Sequence, residues 1–412
     1  MVAAAIIFAL TYLLLGLQRL PRLHIGRPAG ALLGAVAMVA FGVLDFGEAK
    51  RAIDLDTILF LLGMMIVLAY MNLSGFFQVV ERRIIGLARS PRGLLLWIVA
   101  SSGVLSALFM NDTVCLMLAP VVLRVTKRLE LRPIPYLIAL ATAANIGSAA
   151  TLLGNPQNAL IAVRSGIRLL PFAASLGPVS AAGLVACAAV LCRLYRREVT
   201  GHRLTVPPPR QPAAVQRSML AASLVAGAGM VAALAMGVEP AAAAMSAAAV
   251  VILAGATRPR RALQEVDWSL LLLFSGLFIV MRGVEEAGLA RSLVAGVGAP
   301  LARAGALATA RFAAAVTLLS QLVSNVPAVM LFVPSLERVL PEAARPAWLG
   351  LAAYSTLAGN LTILGSVANL IVFETARRDG VEVRFLEYLR AGAPITLGTL
   401  AIAWAWLTFA AG

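Results

Sequence analysis

Two histidines, three cysteines and 13% charged residues are all that this chain of 412 residues offers to acid–base, thiol or ionic chemistry. His24 and His202 both lie near charged loops. No nucleophile–base constellation or glycine-rich phosphate loop accompanies them, so an enzyme reading finds no footing. Cys115, Cys187 and Cys192 form neither CxxC nor CxxCH, which argues against a metal or haem site, and no cofactor is expected. A soluble protein carries roughly 25% charged residues, so this much charge cannot clothe a water-facing surface. What the chain has in excess is the opposite: 61% of its residues are hydrophobic and its mean hydropathy is +0.91.

Apolar runs of roughly 17 to 25 residues, the length a spanning helix needs, recur along the whole sequence. The chain therefore reads as an all-α polytopic membrane protein whose first partner is the lipid bilayer. Its opening, MVAAAIIFALTYLLLGL, lacks a basic n-region and a small-residue cleavage site, and reads as a first span rather than a removable signal. Further spans fall near 29–44, 57–73, 133–160 and 171–192, then near 218–235, 240–256, 268–281, 347–372 and 391–410. A basic, proline-rich linker at 196–216 separates a first half, 1–195, from a second, 217–412.

The net charge of +15 finds its use in the positive-inside rule. With both termini outside, most of the 34 Lys and Arg fall on the cytoplasmic side, Arg19, Arg22 and Arg27, the linker arginines and Arg258, Arg260 and Arg261 among them. Nucleic acid drops out as a partner, and the expected location is the cytoplasmic (inner) membrane.

Two stretches, 93–123 and 312–336, fit the span count poorly. The first is too long for one helix and too short for two spans and a turn, which need about 40 residues. Its arm Val114–Leu123 is about 15 Å long at 1.5 Å per residue, half a bilayer. A re-entrant hairpin with Asn111-Asp112-Thr113 at its tip is expected, and Asp112 is the one charged residue between Arg92 and Arg124.

Self-comparison shows an internal repeat. DLDTILFLLGMMIVLAYMNLSGFF from Asp54 matches DWSLLLLFSGLFIVMRGVEEAGLA from Asp267, NDTVCLMLAP matches NVPAVMLFVP, and ATLLGNPQNALI matches LTILGSVANLIV. Each half thus holds about five spans, one hairpin and one broken helix. Five is odd, so the second half enters the membrane inverted. Inverted repeats with interrupted helices mark secondary transporters, with the site near the midplane. In NIGSAATLLGNPQN, Gly147, Gly154 and Pro156 discourage a continuous helix, and AGNLTILGSVAN has the same character. Irregular backbone at membrane depth survives only where protein buries it or a cavity hydrates it, so four polar interruptions can converge on one site.

These motifs resemble the ion transporter superfamily with the citrate-transporter-like fold, which contains arsenite/antimonite permeases, NhaD-type sodium/proton antiporters and divalent-anion/sodium symporters. FMNDTVCLMLAPVV looks most like the arsenite-permease branch and the related melanosomal P protein. LGNPQN and LGSVANLIV look like bacterial members labelled anion transporters. The resemblance covers nearly the whole chain. It implies a homodimer that carries a small ion elevator-fashion, coupled to protons or sodium. Carried over motif by motif, it implies a site of Asn111, Asp112 and Thr113 at the first tip and Ser324 and Asn325 at the second. The first break adds Gly147, Ser148, Thr151, Gly154, Asn155 and Asn158; the second adds Gly359, Asn360, Thr362, Gly365, Ser366 and Asn369. Sodium would sit near Asn111, Thr113, Ser324 and Asn325.

Asp112 is either a cation- or proton-binding carboxylate or a cap for backbone N–H groups; both roles can hold. The four glycines shape the breaks, Pro120 and Pro334 are structural, and Cys115 is a packing residue rather than an arsenic trap. Glu81-Arg82-Arg83 and Glu285-Glu286 begin amphipathic stretches expected at the membrane interface. The site so assembled has no Lys or Arg. A neutral polyhydroxyl species such as arsenious acid needs only Asn, Ser and Thr, so proton-coupled arsenite/antimonite efflux leads. Transport of an oxyanion or di/tricarboxylate coupled to sodium or protons comes next, and sodium/proton antiport third.

Overall fold

The computed structural model describes residues 1–16, 26–87, 89–200, 215–255, 259–289, 306–337 and 341–409. Among these there is no strand. The first half runs α1 (Val2–Gly16), α2 (Arg27–Ala40), α3 (Phe46–Ala52), α4 (Leu55–Leu73), α5 (Phe76–Leu87), α6 (Pro91–Leu108), α7 (Asn111–Arg128), α8 (Ile134–Ser148), α9 (Pro156–Ser165) and α10 (Leu169–Leu194). After a single turn, α11 (Arg196–Val199), come α12 (Arg217–Ala235), α13 (Pro240–Ala254), α14 (Pro259–Gln264) and α15 (Trp268–Glu286). The chain continues with α16 (Ala306–Val323), α17 (Asn325–Leu336), α18 (Pro341–Ala358), α19 (Val367–Arg378) and α20 (Phe385–Phe409). Six of these helices are long and apolar enough to cross a membrane: α4, α6, α10, α12, α15 and α20. The protein is an all-helical integral membrane protein.

Local chemistry sets the element ends. The Asp45 carboxylate accepts from the Glu48 N–H at 2.7 Å while Glu48 accepts from the Asp45 N–H at 2.8 Å, a capping box that starts α3. Asp54 caps α4 through the Thr57 N–H and Asp267 caps α15 through the Leu270 N–H, each at 3.0 Å. The same device thus stands at matching places in the two halves.

Two pairs of helices cross between the halves, and they too match. A Cβ at Gly63 of α4 would lie 2.5 Å from the Ala244 carbonyl carbon of α13, and one at Gly276 of α15 would lie 2.8 Å from the Ala31 carbonyl carbon of α2. Gly63 and Gly276 are repeat partners, and so are Ala31 and Ala244. Seven residues further along α2 and α15, Gly283 meets the Met38 side chain. Contacts in the same order on both helices mean that α2 and α15 run parallel. Gly255, just past α13, meets the Tyr70 ring of α4 in the same way, so α4 and α13 are parallel as well. Glycine lets these backbones touch, which is how spans pack when lipid is as apolar as the side chains.

The hairpins differ in detail from the sequence expectation. The arm after the first tip runs on to Arg128, about 27 Å of helix instead of about 15 Å. The turn itself is Phe109-Met110, with Asn111, Asp112 and Thr113 as the first turn of α7. Pro120 sits inside α7 without ending it. Glu81 to Arg83 do lie in a helix, α5, whereas Glu285 and Glu286 end α15 instead of beginning a new element, and the stretch from 290 to 305 lies outside the described residues. So does most of the linker, at 201–214.

Gly63→Ala and Gly276→Ala are each expected to lower stability by about 1–3 kcal/mol, since the added methyl meets backbone that cannot yield. Thermal unfolding in detergent reads this. An unchanged midpoint for either variant would show that its crossing is looser than described.

Candidate functional site

Helices α8 and α18 each stop part-way and resume as α9 and α19, and the two breaks are built alike. The Asn158 amide donates to the Ser148 and Thr151 carbonyls at 3.1 and 3.0 Å. The Asn369 amide donates to the Gly359 and Thr362 carbonyls at 2.8 and 3.0 Å. Those carbonyls lost their helical partners at the break, and each asparagine supplies the missing donor. A Cβ at Gly154 would lie 2.2 Å from the Ser148 carbonyl oxygen, and one at Gly365 lies 2.9 Å from that of Gly359, so each loop folds back on its own helix end. Asn155 then caps α9 through the Asn158 N–H at 2.9 Å, and Ser366 caps α19 through the Ala368 N–H at 3.2 Å. The Thr151 hydroxyl donates to the Ala107 carbonyl, tying the first break to α6.

Asn145, on α8, joins the parts. Its Oδ1 accepts from the Asn111 amide at 2.9 Å and the Ser366 hydroxyl at 3.0 Å. Its Nδ2 donates to the Asn360 and Asn369 side-chain oxygens at 3.0 and 3.1 Å. All four capacities used here are filled, and one residue links the first hairpin tip to the second broken helix. Its repeat partner is Thr356, whose hydroxyl accepts from Asn155 at 3.1 Å and Gln157 at 3.2 Å. Tyr388 closes the cluster, donating to the Asn360 carbonyl at 3.1 Å and accepting from Asn369 at 2.9 Å. The Asn111 N–H donates to the Gly154 carbonyl at 2.9 Å, so the tip is also tied to the first break.

In front of this cluster lies a cavity of about 150 Å³, room for a few waters or one small solute. The first turns of α7, α9, α17 and α19 all border it, through Asn111 and Asp112, Pro156 and Gln157, Asn325 and Val326, and Val367. Four helix N-termini, each with its partial positive charge, therefore border one space. Ser324, at the second tip, has φ of +72°, a conformation that is strained for a side-chain-bearing residue and concentrates at functional positions.

Of the residues singled out from sequence, Asn111, Asp112, Ser324, Asn325 and Ser366 border the cavity. Ser148, Thr151, Asn155, Asn158, Asn360, Thr362 and Asn369 stand behind it as braces, and Gly154, Gly359 and Gly365 shape the breaks, whereas Gly147, inside α8, lets that helix meet the Gly103 backbone of α6. Thr113 is half-buried in the first turn of α7 and lies off the cavity wall. The expectation that the site holds no Lys or Arg is corrected. Arg27, the first residue of α2, borders the cavity and interacts electrostatically with Asp112. Asp267, the cap of α15, also interacts electrostatically with Asp112, with the opposite sign. Arg27 was counted with the loop cations because nothing in one sequence shows that the start of α2 reaches a hairpin tip. Asn145, Thr356, Gln157, Gln321 and Tyr388 were missed as well. Asn145 was the most legible of them, an amide in the otherwise apolar run that leads into the first break.

Asn145→Ala would strand partners on three elements. Interhelical hydrogen bonds within membranes are individually small, so a loss of about 2 kcal/mol is expected. Thr356→Ala, which removes an acceptor for two amides only, is expected to cost less. Denaturation in detergent measures both. Equal losses would remove Asn145 from its central place.

Residues 6–353 match the model of the citrate transporter family. Over 97% of its length the chain is 30% identical to the silicon efflux transporter LSI3 of Oryza sativa subsp. japonica, of which 96% is covered. It is 31% identical to an uncharacterized transporter of Mycobacterium tuberculosis strain H37Rv, with 99% of this chain and 98% of that one covered. Among solved structures, the YdaH transporter of Alcanivorax borkumensis, described as having an unusual topology, superposes with a TM-score of 0.59 over 98% of this chain and 96% of that chain. At 17% identity, that likeness speaks for the fold alone. A family match of this extent, on a helical membrane protein whose broken helices border one cavity, makes the chain a member of the citrate transporter family.

Proposed function

We propose that the chain is a secondary active transporter that exports a small hydroxylated metalloid acid, arsenious or antimonous acid foremost, in exchange for protons at Asp112. The observation that carries this reading is the charge balance of the cavity. Arg27 faces Asp112, and the other polar groups on the wall are amides, hydroxyls and helix N-termini. A neutral solute bearing several hydroxyls can donate to Asp112 and to amide oxygens while accepting from amide and backbone N–H groups. A tricarboxylate would bring three negative charges to a wall whose single described cation already faces a carboxylate. The rice relative named for silicon efflux supports the same chemistry, because dissolved silicon travels as an uncharged acid with four hydroxyls.

Alternating access would follow from inverted halves. Within a half the second and third spans run in opposite directions. The third span of the second half, α15, runs parallel to the second span of the first half, α2, so repeat partners α4 and α15 point opposite ways. On this reading the parallel pairs α2–α15 and α4–α13 form the fixed frame, and the unit of hairpins and broken helices moves against it in a homodimer. One further reading has its own support: Arg27 and four helix N-termini would also suit an oxyanion or carboxylate entering with a cation.

The test is uptake and efflux in proteoliposomes with arsenite, silicate, sulfate, succinate and citrate, each with imposed proton and sodium gradients. Saturable arsenite or silicate flux driven by a pH gradient is expected. Asp112→Asn should fold normally, carry flux reduced about tenfold, and lose the dependence on pH that an ionisable carboxylate gives. Sodium-driven anion flux with arsenite and silicate inert would replace this reading by the carboxylate or oxyanion one. Sodium/proton exchange without any of these solutes would make the chain an antiporter.

A further inference from the structure

A second cavity, of about 390 Å³, lies beyond the far end of the first. The two share three walls in an orderly way. On α9, Gln157 borders the first cavity, and Leu160 and Arg164, one and two turns on, border the second. On α15, Leu273, Phe274 and Leu277 border the first, and Phe278, Met281 and Arg282 the second. On α17, Val326 and Pro327 border the first, and Met330, Val333 and Pro334 the second. Steps of three and four residues keep one face of a helix, so on each element a single face runs from one cavity into the other. No rotation of any helix is needed to continue the route.

The walls change character along the way. Arg27 and Leu270 stand at the end of the first cavity where α2 and α15 begin. Where the two linings succeed each other along α9, α15 and α17 stand Leu277 on the first side and Leu160, Phe278 and Met330 on the second, all of them apolar. Past them the second cavity is rimmed by Arg51, Arg164, Arg282, Glu48 and Glu285. Arg164 pairs with Asp54 and Glu337 at 3.5 Å each, and Arg282 with Glu285 at 3.4 Å. These pairs lie at the surface, where an ion pair holds little energy and exchanges readily with a passing polar solute. A charged rim over an apolar collar marks a water-filled mouth, not a lipid-facing groove.

We infer that the second cavity is the antechamber of the substrate site. It opens on the face opposite the start of α15, takes the polar solute of the first cavity between its paired arginines and glutamates, and passes it through a collar of Leu160, Leu277, Phe278 and Met330. This rests on the reading of the first cavity as the substrate site, but not on which solute is carried.

The test is thiol labelling in sealed, oriented vesicles, in full-length protein carrying Cys115→Ser, Cys187→Ser and Cys192→Ser. Leu160→Cys and Val333→Cys are expected to react with a membrane-impermeant, charged methanethiosulfonate from the face opposite the basic loops only. The rate should exceed that of Val185→Cys, on the apolar surface of α10, by about tenfold, because a thiol reacts as the thiolate and needs water. In a Phe278→Ala background, or Met330→Ala if that chain is unstable, Leu273→Cys should gain reactivity from the same face by about tenfold, since the collar is then open. Equal rates at Leu160, Val333 and Val185 would overturn the antechamber, and unchanged reactivity at Leu273 would overturn the collar. Labelling is read without substrate. Failure of the metalloid-acid reading would therefore show only in flux, and failure of the antechamber only in reactivity.

Discussion

The need to satisfy backbone groups where a helix stops inside the membrane governs this protein. A broken helix leaves carbonyls and N–H groups without partners, and each costs several kcal/mol in hydrocarbon. Here the same solution is used twice: an asparagine amide takes two stranded carbonyls, and a cap takes the N–H groups of the resumed helix. Once those obligations are met by side chains, the breaks can be held at a fixed depth. The four helix starts can then be aimed at one space. The cavity lies where those four helix starts meet.

The rest of the packing serves to hold the breaks in register. Glycines at repeat-related positions let α4 reach α13 and α15 reach α2 at backbone contact, and Asn145 pins the first hairpin to the second break. Ser324 holds a left-handed backbone at the second tip. Strain there persists because α17 and the cavity wall leave the chain no relaxed alternative that keeps the tip in place.

Much of this was legible in sequence, for physical reasons. Spans announce themselves because lipid demands long apolar runs, and breaks do so because Gly, Pro and Asn cannot hide in such runs. The matching motifs of the two halves were legible because their spacing is kept. Asn111, Asp112, Ser324, Asn325 and Ser366 were found through their positions at tips and breaks. What was not legible was anything set by which helix meets which. Arg27 sits at the start of a span, where a snorkelling loop cation and a cavity wall look alike in sequence. Tyr388 lies in a different span from the break that it braces, and no local pattern points from one to the other. The length of the α7 arm was misjudged because its end was placed at Leu123, where the apolar run gives way to Arg124, whereas α7 starts at Asn111 and runs on through the charged residues to Arg128.

The two halves are alike but unequal at one place: where the first has Asn145, the second has Thr356. An amide offers two donors and an acceptor, and a hydroxyl one donor and an acceptor; the Asn145 side chain bonds to four partners where the Thr356 hydroxyl accepts from two, so the bonds that anchor one broken helix have no full counterpart at the other. If the halves exchange shapes during the transport cycle, a perfectly duplicated protein would be poised evenly between its two facings. In this one, a single pair of residues breaks the duplication.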